Sequence, residues 1–195
     1  MIRYMNNIVL RTPRLDEAET LAALGRETFV ETFGHIYSSD DLSKFLNTSF
    51  GPGIQAAQLE DPNYAIQVAV QDSIFVGFIK VGANSLPFAA PGRATGELKQ
   101  FYMRKSCHGQ GIAPLLMDWG MDWLRSRGYL DVLLSVYSVN PRAQRFYQRY
   151  GFIKLADHFF MVGDHRDEEY IFHAQLDRVL SPSNASKLIN PATDK

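Results

Sequence analysis

The amino-acid sequence predicts an α/β fold of the α+β kind, a mixed and mostly antiparallel sheet flanked by helices. Three observations predict it. Between Gly96 and Gly128 an alternating run (Leu98, Phe101 and Met103, with Lys99 and Gln100 between) gives way to a glycine loop and then to helical spacing; Leu130 to Tyr137 follows as a near-continuous apolar strand. A strand joined through a helix to a second strand is the usual basis of a parallel pair. Upstream, Tyr64 to Val70 and Ile74 to Val81 are joined by Gln71-Asp72-Ser73 as an antiparallel hairpin. Downstream, Ile153 to Leu155, Phe159 to Val162 and Tyr170 to Leu176 predict a second, with Gly163 to Asp167 at its tip.

Taken in order, Ile8 to Arg11 reads as a first strand, and Leu15 to about Phe33 carries apolar residues at helical spacing, weakened in the middle by Gly25. Ser38 and Asp41 form a Ser-x-x-Asp start signal for a short helix through Phe45 and Leu46. The bend between these helices holds Glu31, Phe33, His35 and Tyr37, residues suited to lining an acceptor pocket or, for the aromatics, to core packing. Gly53 to Glu60 reads as a further helical turn, and Asn84 to Gly92, with Pro87 and Pro91, as a long loop. After the central unit, Asn140 is a good N-cap, Pro141 suits a first helical position and Gly151 a left-handed stop, which bound a short helix.

The helix behind the glycine loop begins near Gly111; Ile112, Leu115, Leu116, Trp119, Trp123 and Leu124 share one stripe, and Gly128 supplies its stop. The first N–H groups of such a helix have no internal partner and carry the positive end of its dipole, so they can hold a phosphate. The segment His108-Gly109-Gln110-Gly111-Ile112-Ala113 therefore reads as a pyrophosphate cradle or, more simply, as a tight turn. It lacks the Gly-Lys-Ser/Thr ending of a P-loop, and Pro114 stands where a dinucleotide fingerprint needs its third glycine.

This segment resembles the coenzyme A-binding motif of the GCN5-related N-acetyltransferases (GNAT), Gln/Arg-x-x-Gly-x-Gly/Ala, with Gly111 and Ala113 in register and His108 in place of Gln or Arg. A second stretch, Asn140-Pro141-Arg142-Ala143-Gln144-Arg145-Phe146-Tyr147-Gln148-Arg149-Tyr150-Gly151-Phe152, is similar to the family's Asn-x-x-Ala-x-x-Phe-Tyr-x-x-x-Gly-Phe segment. The resemblance implies the GNAT fold, in which the parallel pair (here about Leu98 to Arg104 and Asp131 to Tyr137) splays apart to admit the pantetheine arm of acetyl-CoA. It also implies that main-chain groups of Phe101, Tyr102 and Met103 and the side chain of Asn140 bind the cosubstrate. Glu97 is then the candidate base for the amine, the alternative being a solvated strand-end carboxylate. Tyr147 is the candidate proton donor to the leaving thiolate, or an aromatic on the helix's buried face.

The pieces Glu31 to Asp41 and His158 to Asp164 are similar to those of bacterial polyamine acetyltransferases acting on spermidine and spermine. That likeness implies a carboxylate-lined acceptor site, for which Glu27, Glu31, Asp40, Asp41, Asp164 and Asp167 are available. Peptide amines and aminoglycosides are rival acceptors, and a non-catalytic acyl-CoA-binding module is the rival of a different class.

Length and composition exclude other classes. One domain over residues 1–180 with a flexible tail at 181–195 suits a chain of 195 residues, 46% apolar and 21% charged. Twenty basic residues against 21 acidic leave no broad surface for nucleic acid or an anionic membrane. No apolar run reaches membrane-spanning length and the start lacks a secretory h-region, so a cytoplasmic location is expected. Cys107 is the single cysteine and reads as a loop filler, so no disulfide and no metal site are expected; self-association as a homodimer stays open.

Overall fold

A computed structural model describes residues 8–89 and 92–179. The predicted tail at 181–195 lies outside the described residues. Strand β1 (Ile8–Arg11) leads through a short 3₁₀ turn to α1 (Ala18–Phe33), α2 (Ser39–Ser49) and α3 (Pro52–Glu60). Then come the hairpin β2 (Tyr64–Gln71) and β3 (Ile74–Ala83), β4 (Thr95–Met103), α4 (Ile112–Ser126), β5 (Asp131–Tyr137), α5 (Pro141–Arg149), β6 (Ile153–Val162) and β7 (His165–Gln175). The sheet order is β1-β2-β3-β4-β5-β7-β6, antiparallel throughout except between β4 and β5.

Local chemistry accounts for most boundaries. Ser38 accepts from the N–H of Asp41 to open α2, and Asn140 accepts from the N–H of Ala143 to open α5, with Pro141 in its first turn. Gly25 does not weaken α1: a Cβ there would lie 2.3 Å from the Phe50 ring, so glycine is what lets α1 seat on that side chain. The last hairpin differs from its expected form. Strands β6 and β7 are continuous, and the turn between them is only Gly163 and Asp164. Of the expected tip Gly163 to Asp167, residues His165 to Asp167 are strand; Asp164 N–H donates to Asp41 Oδ1 (2.7 Å), which pins the turn to α2.

Each face of the sheet carries its own core. On one, Ile79, Val81, Leu98, Val132, Leu134 and Phe172 pack with Leu116, Met117, Met121 and Leu124 of α4 and Tyr147 and Tyr150 of the α5 region. On the other, Ile66, Val68 and Phe78 pack with Leu21, Leu24, Phe29, Phe45 and Phe50. Alternation along the strands sorts side chains between these faces. In β5 it sends Val132, Leu134 and Val136 to the α4 side and leaves Leu133, Ser135 and Tyr137 on the other.

Two buried charges are built into this frame. Asp131, 1% exposed, accepts from Arg93 and from His173 Nε2 (3.0 Å), tying the start of β5 to the segment before β4 and to β7. Burial pushes its carboxyl up, but these two donors outweigh that and hold it below the ordinary value. Lys80, 2% exposed, donates to Gln58. Burial first, and the Lys99 charge second, bring its pKa down to about 7. The unfolded chain therefore holds that proton more tightly, so stability rises with pH between about 7 and the ordinary 10.5 and sits on its low plateau below that window.

Asp131→Asn is expected to cost about 1–3 kcal/mol, the worth of charged hydrogen bonds discounted for the partly exposed Arg93. Denaturant titration at neutral pH checks it. Lys80→Met is expected to flatten the stability–pH curve above pH 7 and to raise Tm at pH 7 by about 2–4 °C for each kcal/mol recovered. An unchanged curve contradicts the assignment of a buried, proton-poor Lys80.

Candidate active site

Strands β4 and β5 share only three parallel rungs: Thr95 with Asp131, Gly96 with Val132 and Glu97 with Leu133. Beyond Glu97 the two strands part, although β4 stays paired to β3 as far as Met103 and β5 to β7 as far as Tyr137. The register of β4 on β3 slips between Lys80 and Val81, leaving Lys99 as the extra residue just past the last shared rung. Such a bulge bends its strand, and here it stands where β4 turns away from β5. The inner edges of both strands are left without a β partner, and a cleft of about 810 Å³ occupies the opening.

At one end of this cleft lies the glycine loop. Gly109 and Gly111 have φ of 79° and 82°, the left-handed region that favours glycine, and nothing lies within 4 Å of where either would carry a Cβ. Helix α4 starts at Ile112 with no side-chain cap, which leaves its first-turn N–H groups without a capping side chain, and Gly111, Ile112 and Ala113 line the cleft there. His108, Gly109, Gly111, Ile112 and Ala113 line the cleft, whereas the Gln110 amide turns back to the Ser106 carbonyl (3.1 Å). His108 takes the place of the motif's Gln or Arg as an acceptor: Arg142 Nη1 donates to its Nδ1 at 2.5 Å. Burial and then the Arg142 charge lower its pKa, keeping the imidazole neutral and the loop tied to α5.

Three cations that the sequence reading passed over, Arg142, Arg145 and Arg149, also line the cleft. Their i, i+3, i+7 spacing places them on one side of α5, and that spacing is visible in the sequence. Phosphates fit this end: left-handed glycines, open helix N–H groups and arginines converge, a donor set suited to a pyrophosphate. Cys107 is buried at the cleft wall.

Of the other expected residues, Phe101, Tyr102 and Met103 line the open edge of β4, and Asn140 caps α5 at the cleft wall. Tyr147 is buried on α5, and burial, then the Glu169 charge, raises its pKa, so it stays a neutral donor. Glu97 sits at the apex, 7% exposed, with Oε2 accepting from Lys99 Nζ (2.8 Å) and from the Ser85 N–H and hydroxyl (2.7 and 2.8 Å).

The wall formed by α1, β5 and β7 is aromatic and acidic. Phe29, Phe33, Tyr37, Tyr102, Tyr137 and Phe160 wall it, with Ser135, Asp167 and Glu169 among them. Tyr37 donates to Asp167, and Ser135 to Glu169. The other two expected acceptor residues are not part of this wall. Glu31 accepts from the Lys105 N–H (2.9 Å), bracing the glycine loop, and His35 lines a hollow that adjoins the cleft through Thr32, Phe33, Tyr137 and Asn140. The carboxylates Asp40, Asp41 and Asp164 cluster at the α2 start and the β6–β7 turn, and Glu27 pairs with Arg104. Among the described residues no group of three or more His, Cys, Asp or Glu is arranged to hold a metal ion, and no helix is long and apolar enough to cross a membrane.

Known proteins are similar to this chain in sequence or fold. An N-acetyltransferase of Mycobacterium tuberculosis without an assigned substrate is 28% identical over 162 residues, 83% of this chain and 99% of its own. One of Lactobacillus delbrueckii subsp. lactis is 25% identical over 79% of this chain and 89% of its own. Among solved structures, the PaiA N-acetyltransferase of Thermoplasma acidophilum in complex with coenzyme A superposes with a TM-score of 0.70 at 21% identity, over 87% of this chain and 99% of that one. The ribosomal-protein-S18-alanine N-acetyltransferase of Escherichia coli does so with a TM-score of 0.63 at 13% identity, over 87% and 94%. Residues 26–152, which hold the glycine loop, the split strands and α5, match the model of the acetyltransferase (GNAT) family, and the chain belongs to that family.

Proposed function

We propose that this chain transfers the acetyl group of acetyl-CoA to a primary amine, and that the acceptor carries more than one amino group, as a polyamine does. The observation that carries the reading is the opening between β4 and β5, with the glycine loop and the uncapped start of α4 at its mouth and Glu97 and Tyr147 along its walls. The resemblance of residues 31–41 and 158–164 to polyamine acetyltransferases supports the finer choice of acceptor.

Acetyl-CoA supplies an acyl carbon already activated as a thioester. The chain's own groups do the rest. The first-turn N–H groups of α4, with Gly109 and Gly111, hold the pyrophosphate, and Arg142, Arg145 and Arg149 offset phosphate charge. Main-chain groups of Phe101, Tyr102 and Met103 hydrogen-bond the pantetheine arm, and an N–H of this edge stabilises the oxyanion as the amine adds. Glu97 takes a proton from the ammonium through water; the Lys99 charge beside it favours the neutral, nucleophilic amine.

Tyr147 faces the leaving sulfur. A buried phenol held above its usual pKa is a weaker acid than a thiol, whose ordinary value is about 8.5. Tyr147 therefore acts as a hydrogen-bond donor that gives up its proton only as the proton leaving nitrogen replaces it. The balance is complete: one C–N bond forms, one C–S bond breaks, and of the two protons lost by the ammonium one reaches sulfur and one reaches solvent.

Steady-state release of coenzyme A thiol with spermidine as acceptor tests this. Wild-type protein should show amine-dependent release. Glu97→Gln is expected to lower kcat/KM about 10²-fold, with partial recovery as pH rises and free amine accumulates, and Tyr147→Phe to lower kcat by about 10–10²-fold. Coenzyme A binding without release for any amine, spermidine, lysine peptide or aminoglycoside, contradicts the reading and favours a binding module.

A further inference from the structure

Arg142 is held by a neutral partner. Its Nη1 lies 2.5 Å from His108 Nδ1, and because a guanidinium offers only donors, that ring nitrogen is the acceptor and carries no proton. Among the described residues no carboxylate is ion-paired with Arg142, so the bond fixes the guanidinium without cancelling its charge. Arg142 also stands in the first turn of α5, at the positive end of that helix, where a cation is disfavoured. It lines the cleft together with Gly109 and Gly111, so an oriented and uncompensated positive charge borders the place that suits phosphates.

The residue type at position 108 matters for that reason. An arginine there would repel Arg142, and a carboxylate would neutralise it. An imidazole accepts from it and leaves the charge for a ligand; a glutamine could do the same, but only histidine makes the contact depend on pH near neutrality. With Nδ1 taken by Arg142 and the ring's other hydrogen bond made to the Met103 backbone, His108 acts on a ligand through Arg142. The charges that face the ring are Arg142 from α5, Lys105 from the turn after β4 and Glu31 from α1, whose Oε2 accepts from the Lys105 N–H (2.9 Å). Burial, then Arg142, with Lys105 adding less, lower the His108 pKa against the Met103 hydrogen bond and the Glu31 charge.

We infer that His108 is a positioning residue for the cosubstrate: as a neutral acceptor it aims Arg142 at the diphosphate on the glycine loop, and its protonation releases that arginine. The inference rests on the acetyl-CoA reading of the cleft. A proton on Nδ1 removes the acceptor and sets two cations side by side. Affinity for the diphosphate is therefore held at neutral pH and falls as pH drops below the ordinary histidine value of about 6.5.

The probe is dephospho-coenzyme A, which keeps the diphosphate but lacks the phosphate monoester that itself titrates at about pH 6. Its binding to the full chain is followed by calorimetry at about pH 7.5 and about pH 5, with circular dichroism at both to report an intact fold. Wild type is expected to lose about three- to tenfold in affinity between the two, and His108→Gln, an acceptor that does not titrate, less than about twofold. At the higher pH, His108→Ala and Arg142→Met should each weaken binding by about three- to tenfold, and the double variant no more than Arg142→Met alone. Wild-type affinity that is equal at both pH values, losses that multiply in the double variant, or affinity that rises on acidification in wild type but not in His108→Gln each overturn the inference; the last would make His108 a direct phosphate donor. Any of these, with binding intact, leaves the cosubstrate reading standing. A wild type that binds neither dephospho-coenzyme A nor coenzyme A overturns that reading and the inference with it.

Discussion

The constraint on which this molecule depends is a parallel strand pair closed at one end and open at the other. Three rungs join β4 to β5, and past Glu97 each strand keeps its outer partner but loses its inner one. Unpaired backbone groups inside a protein demand partners, and an extended chain entering the gap supplies them as a strand would. The closed end is held by buried Asp131 with Arg93 and His173, and the opening begins at the Lys99 bulge. The cores on either face keep the outer strands fixed, so the gap persists as a feature of the sheet.

The chemistry differs from one wall of this gap to another. The mouth, with Gly109, Gly111, the start of α4 and the arginines of α5, is electropositive and suits phosphate. The apex pairs Glu97 with Lys99 at 2.8 Å. The β5–β7 wall, lined by aromatics, carries Asp167 and Glu169.

Much of this was legible in the sequence because its causes are local. The periodicity of the α4 stripe, the Ser38 and Asn140 caps and the left-handed glycines at 109, 111 and 151 act within a few residues, and they marked the elements and the cradle. What stayed hidden depends on distant packing. The first half of β7 carries Asp167 and Glu169 toward the cleft, so its polar residues resemble a turn; only pairing with β5 and β6 shows them to be strand. Glu31 and His35 lie on the expected bend, but the bend's orientation turns one to the Lys105 N–H and the other to a neighbouring hollow. Lys99 and Ser85, which meet on Glu97, lie on different segments and could be joined only by the fold.

The central claim is that the inner edges of β4 and β5 receive an extended ligand whose phosphates rest on the glycine loop. Hydrogen–deuterium exchange of the full chain with and without coenzyme A addresses it directly. Slowed exchange at 98–103 and 109–113, with β6 at 153–162 unchanged, is the result expected of a ligand that completes the split ladder. Coenzyme A that binds while leaving both segments at their free rates, or protects only another surface, would contradict the account.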